Sequence, residues 1–213
     1  MAHRGLLIVF EGLDRSGKST QVKLLADALN LKNLKSEIWR YPNRDTSIGG
    51  LINDYLGKKI ELEDHAVHLL FSANRWETVS EMKRKLNSGI NLIVDRYAYS
   101  GVAYTSAKEG FELEWCKQCD TGLPKPDLVF FMDTKIDELE KRQHFGEERY
   151  ENIEFQKKVY SNFKKLFNFE NLEDCLVLNA RDTIDNLHQI IFKKTFEMIK
   201  NENFLTNKFS FLW

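Results

Sequence analysis

The chain has 213 residues, of which 42% are hydrophobic and 30% charged, and its formal net charge is −1. That length suits one domain with a sizeable core, and the balanced charge excludes the global basic field that would call for nucleic acid or a membrane surface. The longest apolar runs are five or six residues, too short to span a bilayer, and three cysteines, an odd number, argue against a disulfide framework.

The elements alternate along the chain. Leu6–Phe10 is a continuous apolar run of strand length, entered almost at once from Met1, so no signal or transit peptide is expected before it. With thiols that suit a reducing compartment, this points to the cytoplasm, nuclear entry being left open. Gly12-Leu13-Asp14-Arg15-Ser16-Gly17-Lys18-Ser19 follows and fits the phosphate-loop pattern G-x-x-x-x-G-K-[ST]. Val22, Leu25 and Leu29 then repeat with helical spacing. Strand, glycine loop and helix form the context in which that motif binds a polyphosphate such as a nucleoside triphosphate. The two glycines let the backbone turn around an anion, the loop N–H groups and the helix N-terminus supply partial positive charge, Lys18 adds a full one, and Ser19 offers a hydroxyl to Mg²⁺.

Further strands are expected at Ser36–Tyr41, Ile90–Asp95, Asp127–Asp133 and Cys175–Asn179. Their apolar runs mark a parallel sheet buried on both faces. Helices are expected at about 48–56, 65–87, 114–118, 135–142, 152–167 and 183–200. The alternation gives an α/β fold, with ligands beyond the C-terminal ends of the strands. Cys116-Lys117-Gln118-Cys119 has the C-x-x-C spacing but no second pair and no histidine nearby in sequence, so it reads as ordinary thiols. Phe145–Glu151 carries a glycine and little to bury. It suits a mobile flap over a phosphate site, although a solvated turn would look the same.

Asp95-Arg96 at the tip of an apolar strand places a carboxylate where phosphate-loop enzymes hold Mg²⁺, with an arginine beside it that can fork onto a phosphate. Arg44 stands in the turn after the second strand, at the same edge. Phe71 and Arg75 are one helical turn apart on one face and suit a flat base: stacking from the ring, edge hydrogen bonds from the guanidinium. Periodicity alone favours a core phenylalanine with a surface arginine.

Taken together, Gly12–Thr20, Tyr41-Pro42-Asn43-Arg44, Phe71–Glu77, the segment Asp95–Tyr104, Gly122–Asp127, Gly146–Glu151 and the ending Phe211-Leu212-Trp213 resemble the thymidylate kinase family, in its eukaryotic and poxvirus-like branch. The resemblance covers nearly the whole chain. It implies a single phosphate-loop nucleoside monophosphate kinase domain over residues 1–213, a three-layer sandwich whose five-stranded parallel sheet is flanked by helices, with a short lid at about 142–151. It implies transfer of the γ-phosphoryl group of ATP to dTMP, giving dTDP on the way to dTTP, with Mg²⁺, in a homodimer. Arg15, Lys18, Asp95 and Arg96 match catalytic positions. Gly12, Arg15, Ser16, Gly17, Lys18, Ser19, Thr20 and Arg142 match the ATP side, Arg142 at the adenine. Asp14, Arg44, Phe71, Arg75, Arg96, Ser100, Gly101, Tyr104, Tyr150 and Gln156 match the acceptor side, where Arg44 and Arg96 hold the dTMP phosphate. By the same resemblance Phe71 matches the ring that stacks on thymine, Arg75 the residue that reads its carbonyl edge, Tyr104 the tyrosine that crowds the sugar 2′ position and Asp14 the acid that touches the 3′-hydroxyl. Ser19 and Asp95 match metal positions. Arg149 belongs to the ordinary lid sequence of this branch and matches no catalytic role.

Rival readings differ in the chemistry they need. A deoxynucleoside kinase requires a general base for a neutral hydroxyl, whereas Arg44 and Arg96 suit an anionic acceptor. A related kinase with a broader choice of deoxynucleotide acceptors stays open. A GTPase-like switch wants a guanine-reading N-K-x-D segment, and the chain has none. Small-molecule nucleotides, rather than nucleic acid or membrane, are the expected partners.

Overall fold

The computed structural model describes residues 4–138, 146–167, 175–201 and 208–213. Five parallel strands, β1 (Leu7–Gly12), β2 (Ser36–Arg40), β3 (Asn91–Asp95), β4 (Leu128–Asp133) and β5 (Cys175–Asn179), lie in the order β2-β3-β1-β4-β5. β1 is central, with Leu7 opposite Leu92 on one side and Ile8 opposite Leu128 on the other. Its period-two side chains feed two cores. Leu7 and Val9 join Leu92, Val94, Phe131 and Phe163 on one face. Leu6, Ile8 and Phe10 join Val22, Leu25, Leu29, Phe130 and Ile191 on the other.

The helices α1 (Lys18–Leu31) and α8 (Ile184–Lys200) cover the second face, and α4 (Val79–Asn87), α5 (Ala98–Thr105) and α7 (Ile153–Phe167) the first. This is the three-layer α/β sandwich expected from the sequence. α2 (Ser47–Leu56) and α3 (Asp64–Trp76) enclose a smaller cluster of Ile52, Tyr55, Leu56 and Val67, against which Phe71 and Tyr150 pack. α6 (Leu113–Gln118) follows α5, and a short 3₁₀ turn, Ile136–Glu138, follows β4.

The structure departs from the sequence reading in four places, and the first three have local causes. The first strand continues past Phe10 through Glu11 to Gly12, because its ladder with β4 runs to Gly12 opposite Met132. The helix expected over 65–87 is two helices. Thr78 ends the first by donating its hydroxyl to the Arg75 carbonyl at 2.8 Å, and its own carbonyl starts the second by accepting from Met82 N–H at 2.9 Å. α5 has no sequence signal. Its residues are small or aromatic and almost all buried, so no polar face marks a period. The helix expected over 135–142 is the short 3₁₀ turn as far as residue 138, and its remainder lies outside the described residues.

Candidate active site

β1 delivers the phosphate loop. Gly12 has φ +140°, and a Cβ there would stand 2.7 Å from the Met132 carbonyl. Gly17, at φ +92°, begins α1. Both positions therefore require glycine. Lys18 is buried beneath the loop, its Nζ donating to the carbonyls of Gly12 (3.2 Å) and Leu13 (2.5 Å) and to Ser16 Oγ (3.1 Å). Burial, followed by the neighbouring Arg96 charge, lowers its pKa to about 7, against the pull of Asp95, Asp14 and Glu11. An anion in the loop would favour the charged form.

β3 delivers Asp95 and Arg96 to the same end of the sheet. Ser19 donates to Asp95 Oδ2 at 2.5 Å. Arg96, with φ +68°, turns its guanidinium back over the loop, to the Gly12 carbonyl (3.0 Å), Ser100 Oγ (3.2 Å) and Asp14 Oδ1 (2.6 Å). The other oxygen of Asp14 accepts from Tyr104 (2.8 Å) and from Gln156 Nε2 (2.7 Å). Burial would raise the pKa of Asp14, but Arg96, Lys18 and these two donors hold it below the ordinary value. Asp14 thus stays ionised and holds the Arg96 guanidinium and the Tyr104 hydroxyl together.

A cleft of about 510 Å³ opens at these strand ends. Lining it are Asp14, Arg15, Ser16, Gly17, Lys18, Ser19, Thr20, Arg44, Phe71, Arg75, Asp95, Arg96, Ser100, Gly101, Tyr104 and Tyr150, all of them read from the sequence. Gly12 is buried and does not line the cleft, and Gln156 is wholly buried behind Asp14. Arg142 lies outside the described residues, as do lid residues 142–145. Arg149 does not line the cleft. It pairs with both oxygens of Glu61 (2.9 and 2.8 Å) and lies over the Tyr55 ring, fastening the lid to the end of α2.

Partners far away in sequence were invisible to sequence reasoning. Arg44 is paired with Glu148 (2.7 Å) and Arg15 with Glu151 (2.8 Å), so two lid carboxylates engage two cleft arginines. Arg75 is paired with Asp120. Glu11, fully buried within β1, accepts from the N–H groups of Tyr97 (2.9 Å) and Ser100 (3.1 Å) and from the Ser100 hydroxyl (2.5 Å). Burial raises its pKa against these hydrogen bonds and the Arg96 charge. The available signal was an acid in an otherwise apolar strand. Asn74, also fully buried, clamps the turn of Arg44 through Asn43 N–H (2.7 Å) and the Asn43 carbonyl (3.0 Å).

The C-x-x-C thiols are shielded. Cys116 is buried and burial raises its pKa to about 12; Cys119 is also raised, by burial and by Asp120. No group of three or more histidine, cysteine or carboxylate side chains suited to a metal occurs among the described residues.

A glycine loop opening a helix, arginines lining the same cleft and an aromatic–arginine pair among its walls suit phosphorylated ligands. The known proteins this chain is similar to agree. The sequence model of the thymidylate kinase family matches residues 10–191. The chain is 53% identical to the thymidylate kinase of Danio rerio over 188 residues, 88% of each chain, and 52% identical to that of Homo sapiens over 190 residues, 89% of each. The solved structure of the thymidylate kinase from Candida albicans superposes with a TM-score of 0.88 at 38% identity, over 100% of both chains. The chain belongs to the thymidylate kinase family.

Proposed function

We propose a division of labour in the cleft for the reaction of this chain, the transfer of the γ-phosphoryl group of ATP to dTMP, giving dTDP and ADP. A phosphate oxygen of dTMP forms the new bond to the γ-phosphorus, and the bond from that phosphorus to the β–γ bridging oxygen breaks. The acceptor is a phosphate monoester, mostly dianionic at neutral pH because its second pKa is about 6, and needs no base. The difficulty is bringing two anions together in line, so catalysis consists of positioning and positive charge.

On this reading the loop of Gly12, Ser16, Gly17, Lys18, Ser19 and Thr20 binds the ATP phosphates, and Arg142 packs at the adenine. Arg15 bridges donor and acceptor phosphates. Arg44 and Arg96 hold the dTMP phosphate, Phe71 and Arg75 the thymine, Asp14 the 3′-hydroxyl, and Ser100, Gly101, Tyr104, Tyr150 and Gln156 shape the nucleoside site. Ser19 and Asp95 fit a hard divalent cation such as Mg²⁺. They bring a hydroxyl and a carboxylate to one point beside the loop, and one carboxylate is what such an ion takes when substrate phosphates and water complete its shell. When bound, that ion supplies charge to the phosphate oxygens.

The observation that carries the reading is the convergence of Arg15 and Lys18 from the phosphate loop, Arg44 from the turn after β2 and Arg96 from the tip of β3 on one cleft. The test is ADP formation with Mg-ATP and each of dTMP, dUMP, dCMP, dGMP, dAMP and UMP in turn. Strong preference for dTMP with UMP far weaker is expected. Comparable rates with dGMP or UMP would overturn the acceptor assignment and leave the phosphate loop standing.

We read residues 1–213 as one kinase domain with its lid at 142–151, acting in the cytoplasm on ATP and dTMP, without nucleic acid or membrane. No helix among the described residues is long and apolar enough to cross a membrane. A homodimer is supported by exposed Leu51 on α2 and Leu69 and Trp76 on α3. Sedimentation should give twice the 25.0 kDa chain mass.

A further inference from the structure

Arg75 lines the cleft, yet it is 2% exposed and belongs to the buried interior. Its charge is met by Asp120, in the turn after α6 and wholly inaccessible to solvent. Arg75 Nε donates to Asp120 Oδ1 at 3.1 Å and Nη2 to Oδ2 at 2.5 Å, so the carboxylate grips one edge of the guanidinium at two points. A face of the guanidinium rests on Gly101 of α5. A Cβ there would stand 2.8 Å from Nη2 and 3.1 Å from Nη1, so the guanidinium lies flat on bare backbone. Asp120 is itself fastened: Ser72 Oγ is 2.8 Å from its Oδ1 and 2.9 Å from the Cys119 carbonyl, and Trp76 Nε1 donates to that carbonyl at 2.8 Å. Ser72, Arg75 and Trp76 all lie on α3, so one helix holds both the arginine and the turn that orients it.

The geometry points to Asp120 as the positioning residue for base recognition: by taking Nε and Nη2 it leaves Nη1 as the edge Arg75 turns to the cleft, where only a hydrogen-bond acceptor on the base is accepted. This rests on the reading of Arg75 as the residue facing the thymine carbonyl edge. A guanidinium has donors and no acceptor. A pyrimidine with a carbonyl at C4 satisfies the donors facing the cleft, and one with an amino group there sets donor against donor and leaves buried groups unpaired. Asp120 needs no contact with the nucleotide. It fixes the plane and rotation of the group that makes the contact, and Gly101 supplies the space.

The experiment compares steady-state kinetics with dTMP and dCMP for the wild type, Asp120→Asn and Arg75→Lys, with thermal melting of each variant. Asparagine keeps the size but cannot hold the fork as a charged pair. For Asp120→Asn, KM for dTMP should rise about tenfold or more, the preference for dTMP over dCMP should fall by a similar factor, and kcat at saturation should stay within about threefold, as befits loss of ground-state binding rather than of phosphoryl transfer. A carboxylate that merely neutralised a buried charge would lower the melting temperature without changing the dTMP:dCMP ratio. If Arg75→Lys loses the preference while folded Asp120→Asn keeps it, the positioning role is overturned and the reading of Arg75 survives. If Arg75→Lys also keeps it, the reading of Arg75 falls as well. Should Asp120→Asn fail to fold, Ser72→Ala removes an anchor of Asp120 without touching the pair. A reduced preference there supports the inference, and an unchanged one overturns it.

Discussion

The cationic side chains of the cleft differ in what they do before substrate arrives. Arg15 has φ +56° and reaches to Glu151, well placed to move when phosphate competes for it. If its charge acts mainly in the transition state, Arg15→Ala should lower kcat by on the order of 10³-fold with a smaller effect on either KM. Near-normal turnover in rapid-quench and steady-state assays would remove it from catalysis. Lys18 gives a different signature. Burial lowers its pKa to about 7, so it loses charge above neutral pH, and the phosphates of ATP favour its charged form. Binding at pH 8 should therefore take up close to one proton, read as a dependence of the calorimetric heat on buffer ionisation. No uptake would mean that the ammonium is already charged. Phe71→Ala should act chiefly on the KM for dTMP, and an unchanged KM would return the ring to the cluster around Ile52 and Val67. That these residues share one cleft was legible from short spacings: a loop of eight residues, an acid followed by a base, a ring one turn from a guanidinium. Asp120 and Glu148 were not. Each acts through a partner 45 or 104 positions away, and nothing local marks a carboxylate as paired.

At the scale of elements, the strands were readable because parallel strands buried on both faces leave unbroken apolar runs. The same logic hid α5, which is buried nearly all round and so shows no period. It also joined α3 to α4, since the break at Thr78 depends on a hydroxyl turned back to its own helix. The segment 146–151, proposed as a lid, is held by side chains of the cleft it lines. Arg149 docks on Glu61, Glu151 accepts from the N–H groups of Gly146 (3.0 Å) and Glu148 (3.1 Å), and Glu148 reaches Arg44. A carboxylate on Arg44 occupies the donors that the dTMP phosphate is read to need, so substrate must displace it. Both partners of that pair are more than a third exposed, which places its strength in the range of surface pairs. Glu148→Gln should accordingly lower the KM for dTMP by up to about fivefold, the kinetic equivalent of removing a pair of about 1 kcal/mol. A raised KM would mean that Glu148 assists binding instead of competing with it.

Across the whole molecule, the acceptor side depends on three helices meeting at His68. On α3, one turn before Ser72 and two before Arg75, it is 1% exposed. Its Nδ1 meets the Thr105 hydroxyl of α5 at 2.8 Å and its Nε2 the Cys116 carbonyl of α6 at 3.0 Å, with Cys119 Sγ 3.2 Å away. Burial, and then the Arg75 and Lys108 charges, lower its pKa to about 4, while Asp120 and the Cys116 carbonyl pull the other way. In the unfolded chain the imidazole titrates at its ordinary value of 6.5. Between those two values the unfolded state binds a proton that the folded state refuses, so stability rises with pH across that window. It is complete above 6.5 and lost progressively as the pH falls toward 4. A shift of that size corresponds to about 3 kcal/mol, or a change in Tm of about 6–12 °C for a chain this long. Carboxylates such as Asp14 also lose stabilising contacts in acid, so the informative quantity is the difference between wild type and His68→Gln. Glutamine can still meet both Thr105 and the Cys116 carbonyl but does not titrate. The variant should start lower at pH 7.5, having lost ring packing against Trp115, yet fall less steeply between pH 6.5 and 4.5. Parallel slopes would show that the histidine does not govern acid stability at the α3–α5–α6 junction. A shallower slope in the variant, together with a wild-type KM for dTMP that rises before global unfolding, would tie the same junction to the placement of Arg75 seven residues further along α3.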